Sequence, residues 1–349
     1  TSVGGDPQEH QHPPAGIEFP ELPGSDCVHK FHDGPTYGYS YTWKRFESLV
    51  KERQIKVCYE TPGKELIQDG AMGEILGVRA LCDGKPVTVK ARKGVVLTCG
   101  GFENNQEMIR NYLPGVPYCY TSGSPYNEGD GITMGLSVGA DLWHMNNYAG
   151  PSMALKVEEI PTSLSMQALH YSKEILGGVI VVGPDGRRFT DEKFKTRHGK
   201  VPAHGTWKSL ITPCPMHMIF DQTHMMAGPI YDGHPSHGWT QVVEQYEWSK
   251  DNSVELEKGW ITKADTLAEL ATQIGMDGES LSETVSRWNA FATLGEDEEF
   301  GRTRMLTALG DGPYYAVEMS PSMLNTQGGP RRNEKAQIVR PDGIPIPRL

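Results

Sequence analysis

Three glycine clusters carry the residue types and spacing in this chain that could do chemistry. The first ends an apolar run, Val95-Val96-Leu97-Thr98-Cys99-Gly100-Gly101-Phe102. Residues without side chains at the carboxyl end of a buried strand let a ligand approach the backbone closely. A tight strand-to-helix turn would need the same residues, and both readings stay open at this point. The second cluster, Gly129-Asp130-Gly131, opens a helical pattern that runs to Gly139. Backbone amides at a helix start favour anions or polarised carbonyls, and a simple turn again explains the glycines equally well. The third, Thr326-Gln327-Gly328-Gly329-Pro330, lies near the end of the chain.

Other chemistry-bearing residues are less ordered. His217, His224, His234 and His237 invite a metal reading, but their spacing is irregular and the stretch is polar. A solvated or substrate-rim loop is the expectation, and no metal site is expected. The cysteines at 27, 58, 82, 99, 119 and 214 contain no CxxC pair. They read as scattered reduced thiols. Trp239, Tyr246, Trp248 and Trp260 are expected to cover a core rather than to line a substrate mouth.

Several elements must position these groups. Trp43, Phe46, Leu49 and Val50 recur at helical spacing over 43–53. Ile55–Tyr59 and Lys93–Cys99 read as apolar strands. Segments 65–68, 74–81 and 86–91 read as a meander with turns at Asp69-Gly70 and Asp83-Gly84. Segments 104–112 and 131–139 are expected helices. After residue 150 a hairpin is expected from Val179–Val182 through Pro184-Asp185-Gly186 to Arg187–Phe189, followed by a strand at 218–220. Helices are expected over 266–273, capped by Asp265 or Thr266, and over 280–293. Strands at 314–319 and 337–340 follow.

With 349 residues, and roughly 100–200 residues per domain, two domains are expected. The change of pattern places an extended connecting segment at 1–41 and an α/β part at 42–150. An α+β insertion covers 151–320, and 321–349 returns to the first part. A net charge of −11 repels phosphate backbones, so nucleic acid is not an expected partner. No apolar run reaches the roughly 18 residues of a membrane span. The start, Thr1-Ser2-Val3-Gly4-Gly5, lacks a basic region and an apolar core. A cytoplasmic location is therefore the expectation, with an exported form that has shed a leader as the alternative, since the chain does not begin with Met.

Taken in order, these segments resemble the flavoprotein family of fumarate reductases, flavocytochrome-c-type reductases and 3-ketosteroid dehydrogenases. Gly94–Phe102 resembles its "GVVLATGGF" strand, and 129–145 its "GDGIxMGxxxGA" helix. Residues 178–197 resemble its "GxIxVNxxGxRFxNE…TR" hairpin, and 326–347 its "TxGGP…GxPIPGL" return. Trp143–Asn147 and Asn325–Pro330 lie nearer a bacterial branch. The resemblance implies an α/β flavin-binding domain, Rossmann-like and of glutathione-reductase type, with an inserted α+β capping domain. It implies FAD, with the adenine near the backbone of Val57. Thr98, Cys99, Gly100, Gly101 and Phe102 would approach the cofactor, together with Gly129, Asp130, Gly131, Gly328 and Gly329. It further implies a small-molecule substrate, hydride transfer from the flavin N5 to one alkene carbon, and a proton donor for the other. The family's donor is an Arg in a Thr-Arg pair, here Thr196-Arg197, one residue further along than usual. Arg197 is thus the candidate catalytic residue, against the alternative of a surface Arg among Lys193, Lys195, His198 and Lys200.

Departures narrow the substrate. The family's carboxylate-clamping His–Pro–Thr falls on Gly150-Pro151-Ser152, and its second His falls near Leu324-Asn325. The acidic and basic pair that relays protons falls near Tyr171–Leu176, without a match. A larger, less charged enone therefore fits better than fumarate. The electron donor is not legible. Ketosteroid dehydrogenases use tyrosines where this chain has Arg197, so reduction is expected, with dehydrogenation as the alternative. A non-catalytic subunit that has lost its flavin site is a further alternative. No GxGxxG occurs in the chain, and the family continues past "IPGL" where this chain reads Ile346-Pro347-Arg348-Leu349. The flavin domain is accordingly expected to be incomplete here, by truncation or by supply from another chain. The isolated 349 residues are expected to hold FAD poorly.

Overall fold

A computed structural model describes residues 41–349 apart from 71–72, 151, 167–176, 193–199, 205, 210–212 and 232–245. The expected connecting segment therefore lies outside the described residues, except for Tyr41. Helix α1 (Tyr41–Glu52) confirms the helical spacing, yet Trp43 and Phe46 are exposed. The meander forms as read, with β1 (Gly63–Gln68), β2 (Ile75–Cys82) and β3 (Lys85–Lys90) antiparallel in that order. Its second turn is a two-residue hairpin in which Asp83 (φ 49°) and Gly84 (φ 72°) are both left-handed. That is the turn whose twist matches the strands it joins.

Helix α2 (Gln106–Tyr112) starts where the Asn105 side chain accepts from the Met108 amide at 3.0 Å. After β4 (Tyr120–Thr121) comes α3 (Asp130–Ser137), whose N-cap is Gly129 with φ 87°. Two short strands follow, β5 (Leu142–Trp143) and β6 (Tyr148–Ala149), then β7 (Ser152–Leu155) and β8 (Leu164–Ser165). Strand β9 (Val179–Val182) leads to the Pro184-Asp185-Gly186 turn, and a ribbon of β10 (Lys200–Ala203) and β11 (Thr206–Ser209) comes next. Strand β12 (Met216–Asp221), α4 (Gln222–Met226), α5 (Ser253–Glu257) and β13 (Thr262–Ala264) precede α6 (Leu267–Gln273) and α7 (Gly278–Leu294). Of the two cap candidates, Thr266 is the one used. Its hydroxyl accepts from the Glu269 amide, and the Glu269 carboxylate accepts from the Thr266 amide. Strand β14 (Tyr314–Met323) is followed by β15 (Asn325–Thr326) and β16 (Gly329–Pro330).

Strand β14 organises a seven-stranded mixed sheet ordered β8-β7-β14-β12-β9, with β13 and β4 also on β14. Its first half pairs antiparallel with β12, from Asp221↔Tyr314 to Met216↔Met319. Its second half pairs antiparallel with β7 and parallel with β4. Period-two alternation then divides the core. Met216, Met218, Phe220, Val179 and Val181 face one side, against Ile230, Tyr231 and Trp248. Ile219, Ile180 and Val182 face the other, against Leu270, Leu281, Val285 and Trp288 of the helix pair. Tyr246 and Trp260 pack on the first of these cores, as the aromatic reading expected, while Trp239 lies outside the described residues.

Four strand expectations need correction. Ile55–Tyr59 forms no strand, and Ile55, Val57 and Tyr59 are exposed. Lys93–Cys99 pairs with no described strand; its Val95 amide donates to the Arg348 carbonyl at 2.9 Å, and Val96 is 83% exposed. An apolar run marks a surface that favours cover, but pairing needs a neighbouring edge, and neither run meets one among the described residues. Arg187–Phe189 and 337–340 contribute isolated bridges, Val182↔Arg188, Arg332↔Ile338 and Val339↔Pro345, rather than strands.

Candidate functional site

The glycine clusters, far apart in sequence, meet around one cavity of about 410 Å³. Val95–Gly100 form one wall, Gly131 and Ile132 a second, and Gln327–Pro330 a third, with Trp143, Arg332, Ala336, Ile338 and Leu349 completing the lining. The short ribbons explain the third wall. Thr326 pairs with Tyr148 and Gly329 with Trp143, so the third glycine cluster is zipped onto the segment after α3. The lining residues Val95, Leu97, Ile338 and Leu349 belong to an apolar cluster with Leu66, Ile75, Met134, Val138 and Ile346.

Of the expected cofactor residues, Thr98, Cys99, Gly100, Gly131, Gly328 and Gly329 line this cavity. Gly101, Phe102 and Gly129 stand behind its wall. Phe102 is fully buried with Ile109 and Leu113, and the Gly129 amide donates to the Gly101 carbonyl at 2.9 Å. Asp130 is exposed at the start of α3. Val57 is about half exposed and outside the lining. Arg197 lies outside the described residues.

Crowding explains most of the glycines. A Cβ on Gly100 would stand 2.4 Å from the Asn127 side chain, and one on Gly101 2.1 Å from Thr326 Oγ1. On Gly328 it would stand 2.5 Å from Met145 Cα. Gly329 differs, since no atom lies within 4 Å of the position its Cβ would take. Sequence reasoning missed Glu103, the residue that joins Asn127 and Thr326. Its fully buried carboxylate accepts from Asn127 Nδ2 at 2.6 Å and from Thr326 Oγ1 at 3.1 Å. Thr326 Oγ1 in turn accepts from the Phe102 amide at 2.8 Å.

The electrostatics of the lining are simple. Among the described residues the lining contains one charged side chain, Arg332, and no acidic side chain. Partial burial, and to a lesser degree the charge of Asp130, push the Cys99 thiol up against an opposing backbone hydrogen bond at Thr98. The volume is that of a small-molecule site, in the range of about 300–1,000 Å³. An apolar, glycine-edged cleft with one cation fits a flat ring system carrying phosphate, and FAD is such a group. Thr98–Gly100 and Gln327–Gly329 are the residues that would hold it.

A second polar centre lies at the hairpin. Arg188 Nε and Nη2 donate to both Glu192 oxygens, at 2.8 and 2.9 Å, and Nη1 and Nη2 donate to Asp297 at 3.1 and 2.9 Å. Arg302 Nη1 reaches Glu192 at 3.3 Å. Both guanidinium carbons stand 4.6 Å from the Trp288 ring centroid. This network fixes residue 192, just before the stretch that contains Arg197. Beyond that stretch, Lys200 Nζ donates to Asn147 Oδ1 at 2.8 Å.

His217 in β12 and His224 in α4 are buried rather than in the solvated loop expected, and His234 and His237 lie outside the described residues. Among the described residues no group of three or more His, Cys, Asp or Glu could hold a metal, and no helix is long and apolar enough to cross a membrane. Among the described residues the cysteines form no disulfide.

Comparison with known proteins gives consistent results. The profile of a family described as "FAD binding domain" matches residues 29–349. The 3-oxosteroid 1-dehydrogenase of Mycobacterium tuberculosis is 30% identical over 293 residues, covering 76% of this chain and 47% of that protein. The fumarate reductase (cytochrome) of Shewanella frigidimarina is 29% identical over 307 residues, 87% of this chain and 47% of that protein. Among solved structures, a 3-ketosteroid delta1-dehydrogenase from Sterolibacterium denitrificans, in complex with 1,4-androstadiene-3,17-dione, is similar with a TM-score of 0.65 and 25% identity. That match covers 87% of this chain and 55% of that one. The chain thus spans about half the length of these relatives.

Proposed function

The chain belongs to the FAD-binding domain family matched over residues 29–349, and we propose that it serves an FAD-dependent oxidoreductase that reduces an activated C=C bond. The substrate class is an enone or enoate, larger and less charged than fumarate. The observation that carries the reading is the meeting of Thr98–Gly100, Gly131 and Gln327–Gly329 on one cavity. When bound and reduced by an electron donor, the flavin would supply a hydride to the alkene.

The chain's own part is to position the substrate and deliver a proton. Arg197 is the proposed donor. It stands three residues before Lys200 in the sequence. Lys200 is tied to Asn147, whose carbonyl accepts from the amide of the cavity residue Gln327 at 3.0 Å. The residues on either side of the stretch bearing Arg197 are held, Glu192 in the buried ion network and Lys200 through Asn147 to the cavity's third wall. A guanidinium stays protonated in water, so donation requires a shielded site and a path for re-protonation. Residues 42–150 with 321–349 form the proposed flavin-binding domain and 151–320 the proposed cap. The pairing of β15 with β6 and of β16 with β5 supports the joining of the outer two segments.

The similarity to two steroid dehydrogenases favours a second reading, removal of hydrogen from a 3-ketosteroid-like substrate. An anaerobic assay with a reduced dye and a panel of enones and enoates decides between the two. Dye oxidation by an enone is the expected result. Turnover only with a saturated ketone and an oxidising dye would establish the second reading instead. Arg197→Ala is expected to abolish turnover with flavin retained, and unchanged turnover would end the donor role.

A further inference from the structure

Glu103 is a fully buried carboxylate whose hydrogen-bond partners among the described residues are all neutral. Removing a carboxylate from water without a cation is unfavourable unless donors converge on it. Here three do, from two remote segments. Asn127 Nδ2 reaches one oxygen at 2.6 Å, and the Thr326 hydroxyl and amide reach the other at 3.1 and 3.3 Å. The 2.6 Å contact is as short as a charge-assisted bond.

Each segment becomes a cavity wall within a few residues. Gly100 lies three positions before Glu103, Gly131 four after Asn127, and Gln327 to Gly329 directly follow Thr326. The segments are separated by 24 and 223 residues, so the carboxylate joins walls that the chain does not otherwise hold in sequence. The clash of a Cβ on Gly101 with Thr326 Oγ1 and, at 2.5 Å, with Glu103 Oε2 shows how closely these turns are drawn together.

We propose that Glu103 is a positioning residue for FAD. It clamps the three glycine turns at the spacing the cofactor needs, without touching the cofactor. This rests on the FAD reading above. The test uses the full protein stripped of flavin, titrated with FAD by quenching of flavin fluorescence, with the thermal midpoint of each flavin-free variant measured alongside. Glu103→Ala is expected to raise the Kd about tenfold or more, the scale of a lost hydrogen bond to a charged group. Glu103→Gln keeps the shape and an acceptor, and Asn127 can turn its amide to suit, so its Kd is expected within about threefold of the unmodified value. Thr326→Val removes one hydroxyl at constant shape and is expected to weaken FAD severalfold; it answers the question if Glu103→Ala does not fold.

A folded Glu103→Ala protein that binds FAD as tightly as the unmodified one would overturn the proposal. So would equal loss in the Ala and Gln variants, because the clamp predicts rescue by the conservative change. Absence of FAD binding by the unmodified protein would instead overturn the FAD reading and this inference together.

Discussion

Replacing Asp297 by Asn is expected to remove about 3–5 kcal/mol of stability, the cost of stranding one partner of a buried ion network. The Asp297 side chain is fully buried and accepts five hydrogen bonds. Arg188 supplies two, at 3.1 and 2.9 Å, and the amides of Glu299, Phe300 and Arg302 supply three more, at 3.1, 3.3 and 3.2 Å. Arg188 and Arg302 are balanced in the interior by Glu192 and Asp297. Asn at 297 leaves two buried guanidinium groups against one buried carboxylate. It also turns an amide N–H₂ toward Arg188. A domain's whole reserve is about 5–15 kcal/mol, so the loss is a large fraction of it. The pH dependence has a definite sign. Burial pushes the Asp297 carboxyl up, but the hydrogen bonds and charge of Arg188, with the Arg302 and Glu299 amides, outweigh it and hold the group below its usual range. Its contribution is thus fully present above the unfolded carboxyl value of about 3.9 and is lost as pH falls through the lower folded value. Urea unfolding followed by circular dichroism at neutral and acid pH measures both effects. Loss of stability on acidification is expected to be shallower in the variant than in the unmodified protein. A variant within about 0.5 kcal/mol of the unmodified protein at neutral pH, the scale of an unremarkable surface change, would refute the reasoning.

Other substitutions separate folding from binding. Gly328→Ala places its Cβ against backbone atoms of Met145 and His144, at 2.5 and 2.9 Å. It is expected to lower the melting midpoint by the equivalent of about 1–3 kcal/mol. Gly329→Ala meets no atom within 4 Å. It is expected to melt as the unmodified protein does while weakening FAD in a fluorescence titration. Thr266→Ala breaks a capping box on α6 and is expected to cost about 1 kcal/mol in thermal unfolding, with FAD affinity unchanged.

Legibility in the sequence followed the range of the interactions. The meander and its Asp83-Gly84 turn, the Thr266 cap and the helix at 278–294 are specified by neighbours within a few positions, and they form nearly as read. The order of the glycine motifs was also readable, and so was the family. Two kinds of feature were not. An apolar run such as Val95–Leu97 shows a preference for cover without naming what covers it, and Val96 stands 83% exposed. Long-range polar pairs leave no local trace. Glu103 follows a glycine turn as any loop carboxylate might, and its partners are 24 and 223 residues away. Arg188 gives one hint, because Glu192 is its i,i+4 neighbour, but Asp297 lies 109 positions beyond.

The glycine-rich motifs themselves contain two different physical requirements. Gly100, Gly101 and Gly328 are crowded by atoms of this chain, so their missing side chains serve contacts between turns. Gly329 faces open space beside the cavity, and there the missing side chain leaves room for something else. A reading that assigns every glycine to a ligand would overstate the ligand's share, and one that assigns them all to turns would miss the open wall. The two requirements are linked through rigidity. Turns packed to the limit of backbone contact have little freedom to shift, and an interior at crystal-like density transmits such a constraint. The crowded glycines and the Glu103 carboxylate therefore fix the position of the open one, and any change that loosens the crowding is felt at the cavity.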